Sequence, residues 1–264
     1  MKRSHDNFAI HHGLRFCNAT TFRHINHVLR FIDVVTWARK ERLSITYCGY
    51  PKLIEESPSP FVDKELREKM CEAALRIARA IQYKSAGTIE FLVDDKRNFY
   101  FMEVNSRIQV EHPVTEMVTG VDIIREQILI ASGEQLEMTQ DEIRQNGWSM
   151  ECRINAEDPE DNFAPSPGVV EGLILPGGPG IRVDTHIYDS WEISPFYDSL
   201  IGKIIVWGRN REMAVCRMQR ALREFKIEGV KMTIPFHERV LRDGNFVAGH
   251  FNTNYINGFN GINS

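Results

Sequence analysis

Apolar residues recur at helical spacing in some stretches of this 264-residue chain and at alternate positions in others, and the two periods divide it into elements. Leu66, Met70, Ala74, Ile77 and Ile81 fall on one stripe, and Asp63 stands where it can cap the first turn of a helix. A second helix is predicted from about Asp122, with Ile124, Ile128 and Ala131 inward and Gly133 as its stop. A third begins at Asn210 and carries Ala214, Met218, Ala221, Leu222 and Phe225; Pro235 opens a last amphipathic piece through Val240 and Leu241. Shorter apolar runs at 150–156, 168–174, 181–187 and 200–207 predict strands. Ser57-Pro58-Ser59-Pro60 reads as a rigid connector, and Gln145-Asn146-Gly147 as a domain boundary. Residues 1–50 show few clean periodicities, and the Asn/Gly-rich tail after Tyr255 is expected to fray.

The stretch 85–116 differs from the rest. Two strands flank the polar turn Asp94-Asp95-Lys96-Arg97-Asn98, and a loop follows that opens a helix at Pro113. Glu90 and Glu103 are equidistant from the turn, so an antiparallel hairpin makes them cross-strand neighbours, with Asn105 further along the same face.

Composition narrows the class. A net charge of −4 favours neither nucleic acid nor an anionic membrane. Five scattered cysteines without a CxxC pair fit reduced thiols and exclude a disulfide framework. No apolar run approaches membrane-spanning length, and no signal-peptide core follows Met1-Lys2-Arg3; a cytoplasmic protein is expected. His24 and His27 could be written as a metal pair, but no acidic or cysteine partner keeps register with them, and ordinary histidines are the better reading.

The opposed glutamates carry the chemistry. Like charges facing each other destabilise a hairpin, and the apolar flanks Ile89, Phe91, Phe101, Met102 and Val104 argue against a merely solvated face. Two carboxylates and an amide suit a hard divalent cation, magnesium above all, which bridges nucleotide phosphates. Arg107 and Arg153 are forked donors for a planar carboxylate, bicarbonate or phosphate, or else ordinary ion-pair arginines. Glu111 is a general base or an acidic residue of a first helical turn. Taken together, these residues point to a metal-and-phosphate enzyme site of open substrate.

The run from Phe101 to Met117 (Phe-Met-Glu-Val-Asn-Ser-Arg-Ile-Gln-Val-Glu-His-Pro-Val-Thr-Glu-Met), with Thr119-Gly120-Val121-Asp122, closely resembles the signature of biotin carboxylases, enzymes of ATP-grasp type. Glu151-Cys-Arg-Ile-Asn-Ala-Glu-Asp-Pro159, Pro165-Ser-Pro-Gly168, His186-Ile-Tyr188 and Tyr197-Asp-Ser-Leu-Ile-Gly-Lys203 are similar to the same family. The resemblance spans about residues 52–256. It implies an α+β chain: a partial ATP-grasp domain (antiparallel sheet with helices) at 52–146, then the biotin carboxylase C-terminal domain at 147–257, with 258–264 a tail. It also implies that Glu90, Glu103 and Asn105 hold magnesium or manganese, and that Lys52 contacts substrate. By the same resemblance Arg107, Gln109 and the Val110 backbone grip bicarbonate, Glu111 is the base, and Arg153 steadies carboxyphosphate and the biotin enolate. The implied reaction uses ATP and bicarbonate to carboxylate biotin on a carrier protein, as in acetyl-CoA carboxylase and fatty acid synthesis, with a carboxyltransferase as a further partner and a homodimer as the assembly.

The departures generate expectations of their own. The family's N-terminal domain and nucleotide-covering lid have no counterpart here, so the isolated chain is expected to be inactive. Residues 1–51 are divergent: Tyr47-Cys-Gly-Tyr-Pro51 replaces most of a Gln-Arg-Arg-His-Gln-Lys run, and Asn26 replaces a glutamate. Val34-Val35-Thr36-Trp37-Ala38 stands where the family often reads Val-Val-His-Leu-Gly, and loss of one base converts one into the other. Residues 26–51 are therefore read as translated out of frame, which resequencing of the gene tests. Two other functions stand as alternatives: an ATP-grasp ligase of carbamoyl-phosphate synthase type, which would lack the motifs at 151–159 and 186–188, and a non-catalytic remnant.

Overall fold

The structure, a computed structural model, describes residues 15–24, 27–36, 52–251 and 255, the first two segments by their backbone alone. The chain runs β1 (Arg15–His24), β2 (His27–Thr36), β3 (Ile54–Ser57), α1 (Lys64–Ala80), β4 (Gly87–Val93), β5 (Phe99–Asn105), α2 (His112–Thr119), α3 (Ile123–Ala131) and β6 (Trp148–Asn155). Short strands β7 (Glu157–Asp158), β8 (Ala164–Pro165), β9 (Gly168–Val169) and β10 (Gly172–Ile174) follow. The remainder is β11 (Ile181–Thr185), β12 (Glu192–Ile193), β13 (Leu200–Gly208), α4 (Arg211–Glu224), β14 (Lys226–Glu228), α5 (Ile234–Arg242) and α6 (Gly244–Val247).

Eight strands make one sheet in the order β11-β13-β6-β3-β2-β1-β4-β5, every neighbouring pair antiparallel. This is the antiparallel α+β architecture expected. The sheet does not break at Gln145-Asn146-Gly147: β3, from before the hairpin, pairs with β6, from after that turn. β1 and β2 lie where the sequence pattern announced no element, and β2 falls within the interval read as out of frame. Residues 37–51 and the tail after Tyr255 lie outside the described residues.

Most of the helices form where the pattern put them. The Asp63 carboxylate accepts the Leu66 N–H at 2.9 Å and caps α1, whose Leu66, Met70 and Ala74 pack on Ile89, Phe91 and Val93 of β4. Ile81 ends that stripe in solvent, because the helix stops one residue earlier and Ile81 becomes its C-cap. Met70→Ala is accordingly expected to cost about 2–5 kcal/mol and Ile81→Ala less than about 0.5 kcal/mol, read from urea unfolding midpoints.

For α3 the predicted face is the wrong one. Ile124 and Ile128 are exposed, Ile128 by 62 %, while Ile123 and Glu126 are buried. Its polar residues Arg125, Glu126 and Gln127 are consecutive and so spread around the helix, and its period could not choose a face; docking of Ile123 and Ile130 against Ala86 and Val121 chose it. The strand predicted at 168–174 is two strands, β9 and β10, which pair with β12 and β14 respectively. Beyond the sheet, α4 and α5 close the largest core, burying Met218, Leu222, Phe236 and Leu241 against Met150, Cys152 and Ile154 of β6. That leaves the opposite face of β6, with Glu151, Arg153 and Asn155, free to build a site.

Candidate active site

The hairpin has the expected register. Glu90 lies opposite Glu103 and Thr88 opposite Asn105, with a bulge after Glu90 that absorbs Met102. Asp94 closes the turn by accepting the N–H groups of Lys96 and Asn98. The Asn105 amide nitrogen bridges the two glutamates, donating to Glu90 Oε1 at 3.0 Å and Glu103 Oε1 at 2.9 Å. Glu90 Oε1 also accepts from Gln109 Nε2 and, at 3.2 Å, from Lys52 Nζ. Two carboxylates and an amide so placed form an all-oxygen donor set for a hard cation once the Asn105 amide turns its Oδ1 inward. Among the described residues no trio of His, Cys, Asp or Glu offers an alternative centre.

Glu111 is the hub of the second half. It occupies the N-cap place of α2 yet makes no capping bond; its carboxylate turns away to Lys52 Nζ at 3.0 Å and Arg153 Nη2 at 2.8 Å. Burial alone would push this carboxyl up, but Lys52 and Arg153 outweigh burial and hold it below its ordinary value. Burial works against the charges of Lys52 and Arg153 in turn, and their glutamate partners reverse it, so both cations are held more firmly than when free. The pairing of β3 with β6 brings these groups together: Arg153 N donates to Leu53 O at 3.0 Å, which seats Lys52 beside the Arg153 fork.

Lys52, Glu90, Glu103, Asn105, Gln109, Glu111 and Arg153 thus form one bonded network. Val110 joins through its carbonyl, which accepts from Lys203 Nζ at 2.9 Å. Arg107 does not join; it is exposed and donates to the Ile108 carbonyl at 3.1 Å. A separate hollow of about 660 Å³, lined by Glu116, Met117, Arg125 and Arg182 among others, contains none of these residues.

Several members of the network were not found from sequence. Glu55 Oε1 lies 2.7 Å from Arg153 Nε. Lys203 comes from β13, opposite Arg153. Thr233 Oγ1 and His237 Nε2 donate to the Arg153 carbonyl at 3.0 and 2.7 Å, anchoring its backbone from the start of α5. Burial pushes His237 down to about 4, so its ring is neutral and carries its proton on the donating nitrogen. The signal for Lys203 was present: it is a charge inside an otherwise apolar strand, as Glu90 is, whereas Glu55 lies in the polar run Glu55-Glu56-Ser57.

The fold and the site define an antiparallel α+β protein with two carboxylates and an amide grouped on a hairpin beside a lysine–glutamate–arginine cluster. Residues 33–139 match the carbamoyl-phosphate synthase L chain ATP-binding domain, and residues 151–258 match the biotin carboxylase C-terminal domain. The chain is 56 % identical over 209 residues to a biotin carboxylase of Nostoc sp., covering 79 % of this chain and 47 % of the relative. It is 53 % identical over 206 residues to biotin carboxylase 1 of Bacillus subtilis, covering 78 % of this chain and 46 % of that one. A crystal structure of the biotin carboxylase domain dimer of Hydrogenobacter thermophilus 2-oxoglutarate carboxylase, in complex with MgADP, ADP and bicarbonate, superposes with a TM-score of 0.87 at 44 % identity. That match covers 93 % of this chain and 52 % of the other. The chain belongs to the biotin carboxylase family. It spans slightly less than half the length of these two curated relatives (47 % and 46 %). Among the described residues no helix is long and apolar enough to cross a membrane.

Proposed function

We propose that this chain carries one wall of the active site of an ATP-dependent biotin carboxylase, a ligase that fixes bicarbonate onto biotin through carboxyphosphate. The observation that carries the proposal is the Glu111 carboxylate, clamped between Lys52 and Arg153 on the rim of the Glu90–Glu103–Asn105 set. Glu90, Glu103 and Asn105 would hold magnesium or manganese, which when bound neutralises the phosphates of ATP.

The residues themselves bind and move protons. Gln109, the Val110 backbone and Arg107 receive bicarbonate, and Arg107 has its exposed fork free to turn toward an incoming anion. Glu111 takes the bicarbonate proton; the oxygen so freed attacks the γ-phosphorus, and ADP leaves. As bicarbonate draws Lys52 and Arg153 away, Glu111 loses the cations that hold its carboxyl low and becomes the stronger base. Carboxyphosphate then breaks into carbon dioxide and phosphate beside Arg153; the phosphate takes the ureido N–H proton of biotin, the Arg153 fork supports the negative ureido oxygen so formed, and the nitrogen bonds to the carbon dioxide. The protein would act on a biotinylated carrier, with a carboxyltransferase downstream, as a homodimer and in an acetyl-CoA carboxylase.

Bicarbonate-dependent ATP cleavage, with and without free biotin, tests the proposal. Glu111→Gln is expected to lower it by about 10²–10⁴-fold, with nucleotide binding retained. ATP cleavage unchanged in that variant, or independent of both bicarbonate and biotin, would overturn the assignment.

A further inference from the structure

Glu55 and Glu151 lie directly opposite each other on β3 and β6, so their side chains leave the same face of the sheet. Both are 0 % exposed, and among the described residues none of their four carboxylate oxygens makes a well-aligned hydrogen bond. Glu55 has the 2.7 Å ion contact with Arg153; Glu151 has no comparable cation among the described residues. The groups facing Glu151 are Glu55 on β3, Lys203 on β13, Arg153 on its own strand and Glu111 at the head of α2. Those facing Glu55 are Arg153, Glu111 and Lys52, and its strand partner on β2, Thr36, carries no charge.

The cations are already engaged. Lys52 serves Glu90 and Glu111, Arg153 serves Glu55 and Glu111, and Lys203 donates to Val110 O with Asp184 at 3.7 Å. Among the described residues, Lys52, Arg153 and Lys203 thus each already contact another carboxylate or carbonyl, and Glu151 is left to compete with Glu55 for them. Two neighbouring carboxylates sealed from water do not both ionise.

We propose that Glu55 and Glu151 hold one proton between them at neutral pH, carried on Glu151, and that this leaves Glu55 as the anion that positions the Arg153 fork. Glu151 then fills the sheet behind the site as a neutral acid, and no fourth carboxylate repels an anionic substrate arriving at Arg153. The direction of both titrations agrees. Burial pushes Glu55 up to about 7 against the pull of Arg153, and burial followed by Glu55 pushes Glu151 well above the carboxylate range.

Infrared difference spectroscopy of the whole chain at neutral pH reads the carbonyl stretch of a protonated carboxylic acid. The expected result is a band in the unsubstituted chain that is lost in Glu151→Gln, and lost also in Glu55→Gln, where the remaining carboxylate has the cations to itself and ionises. Thermal unfolding supplies a second readout. A carboxyl raised in the fold above its unfolded value of 4.5 contributes stability that is fully present below that value and lost as pH rises toward the folded one. The melting temperature of the unsubstituted chain should therefore fall relative to Glu151→Gln as pH rises above 5. No acid band in the unsubstituted chain, a band untouched by Glu55→Gln, or a Glu151→Gln melting curve lower by the same amount at every pH would each overturn the proposal. If Glu151→Gln fails to fold, the Glu55→Gln spectrum alone decides.

Discussion

In the intact enzyme, Arg153→Ala is expected to abolish carboxylation of biotin while nucleotide affinity stays near that of the unsubstituted protein. The guanidinium contacts Glu111 and Glu55, and its carbonyl is pinned by Thr233 and His237, so the fork is held in one place and none of its contacts belongs to the Glu90–Glu103–Asn105 set. Loss of one preorganised donor to a developing oxyanion lowers rates by about 10²–10³-fold. Arg153→Lys keeps the charge and loses the fork, and should recover little, because a lysine cannot serve two carboxylates and a ureido oxygen with parallel N–H groups. Stability should fall as well: removing the cation strands Glu55, fully buried, for about 3–5 kcal/mol. That separates two effects in one variant. Urea midpoints read the fold, nucleotide titration reads the metal–phosphate half, and biotin-dependent turnover reads the role of the fork. A nucleotide affinity that drops in step with turnover would sink the assignment.

Glu103→Gln should give the reverse pattern, a sharp loss of metal–nucleotide catalysis with the fold intact. Glu103 is exposed and bonds only to Asn105 among the described contacts, so the amide can replace it without stranding a buried partner. Glu90 would be a poorer test, since Lys52, Asn105 and Gln109 all converge on its one oxygen and its removal disturbs the whole network. Even changes outside a metal's ligands cost about 10–100-fold in metal affinity, and a lost ligand should cost at least that. Magnesium titration of ATP cleavage at fixed nucleotide measures it. An unchanged magnesium dependence, or a collapsed melting transition, would remove the metal-site role.

How far the site was legible depended on whether each partner was near in sequence. The hairpin could be read because its glutamates lie on either side of one turn; continuing the Val93–Phe99 pairing without a break would set Glu90 against Met102, and the bulge after Glu90 brings Glu103 opposite it. Glu111 was visible as a polar residue crowded against the end of that hairpin. The α3 face could not be read, because Arg125, Glu126 and Gln127 are spread around the helix among Ile123, Ile124, Ile128 and Ile130 and mark no single polar side. Glu55, Glu151 and Lys203 were hidden for another reason: they meet through the pairings of β3 with β6 and of β6 with β13, whose strands lie far apart in sequence.

By itself, then, the sequence determined the local grammar: the capped helices, the hairpin that carries Glu90 and Glu103 on its two strands, and the motifs that carry the family. Those depend on residues within a turn or two of one another, where capping, alternation and turn chemistry act. Only the tertiary structure decided that β3 lies against β6, and everything at the centre follows from that pairing. It seats Lys52 beside Arg153, lets Glu111 choose both over its own helix cap, and brings Glu55 against Glu151 with one proton for two carboxylates. Strand pairing across a sheet is chosen by burial summed over the whole fold, and no stretch of sequence records that sum.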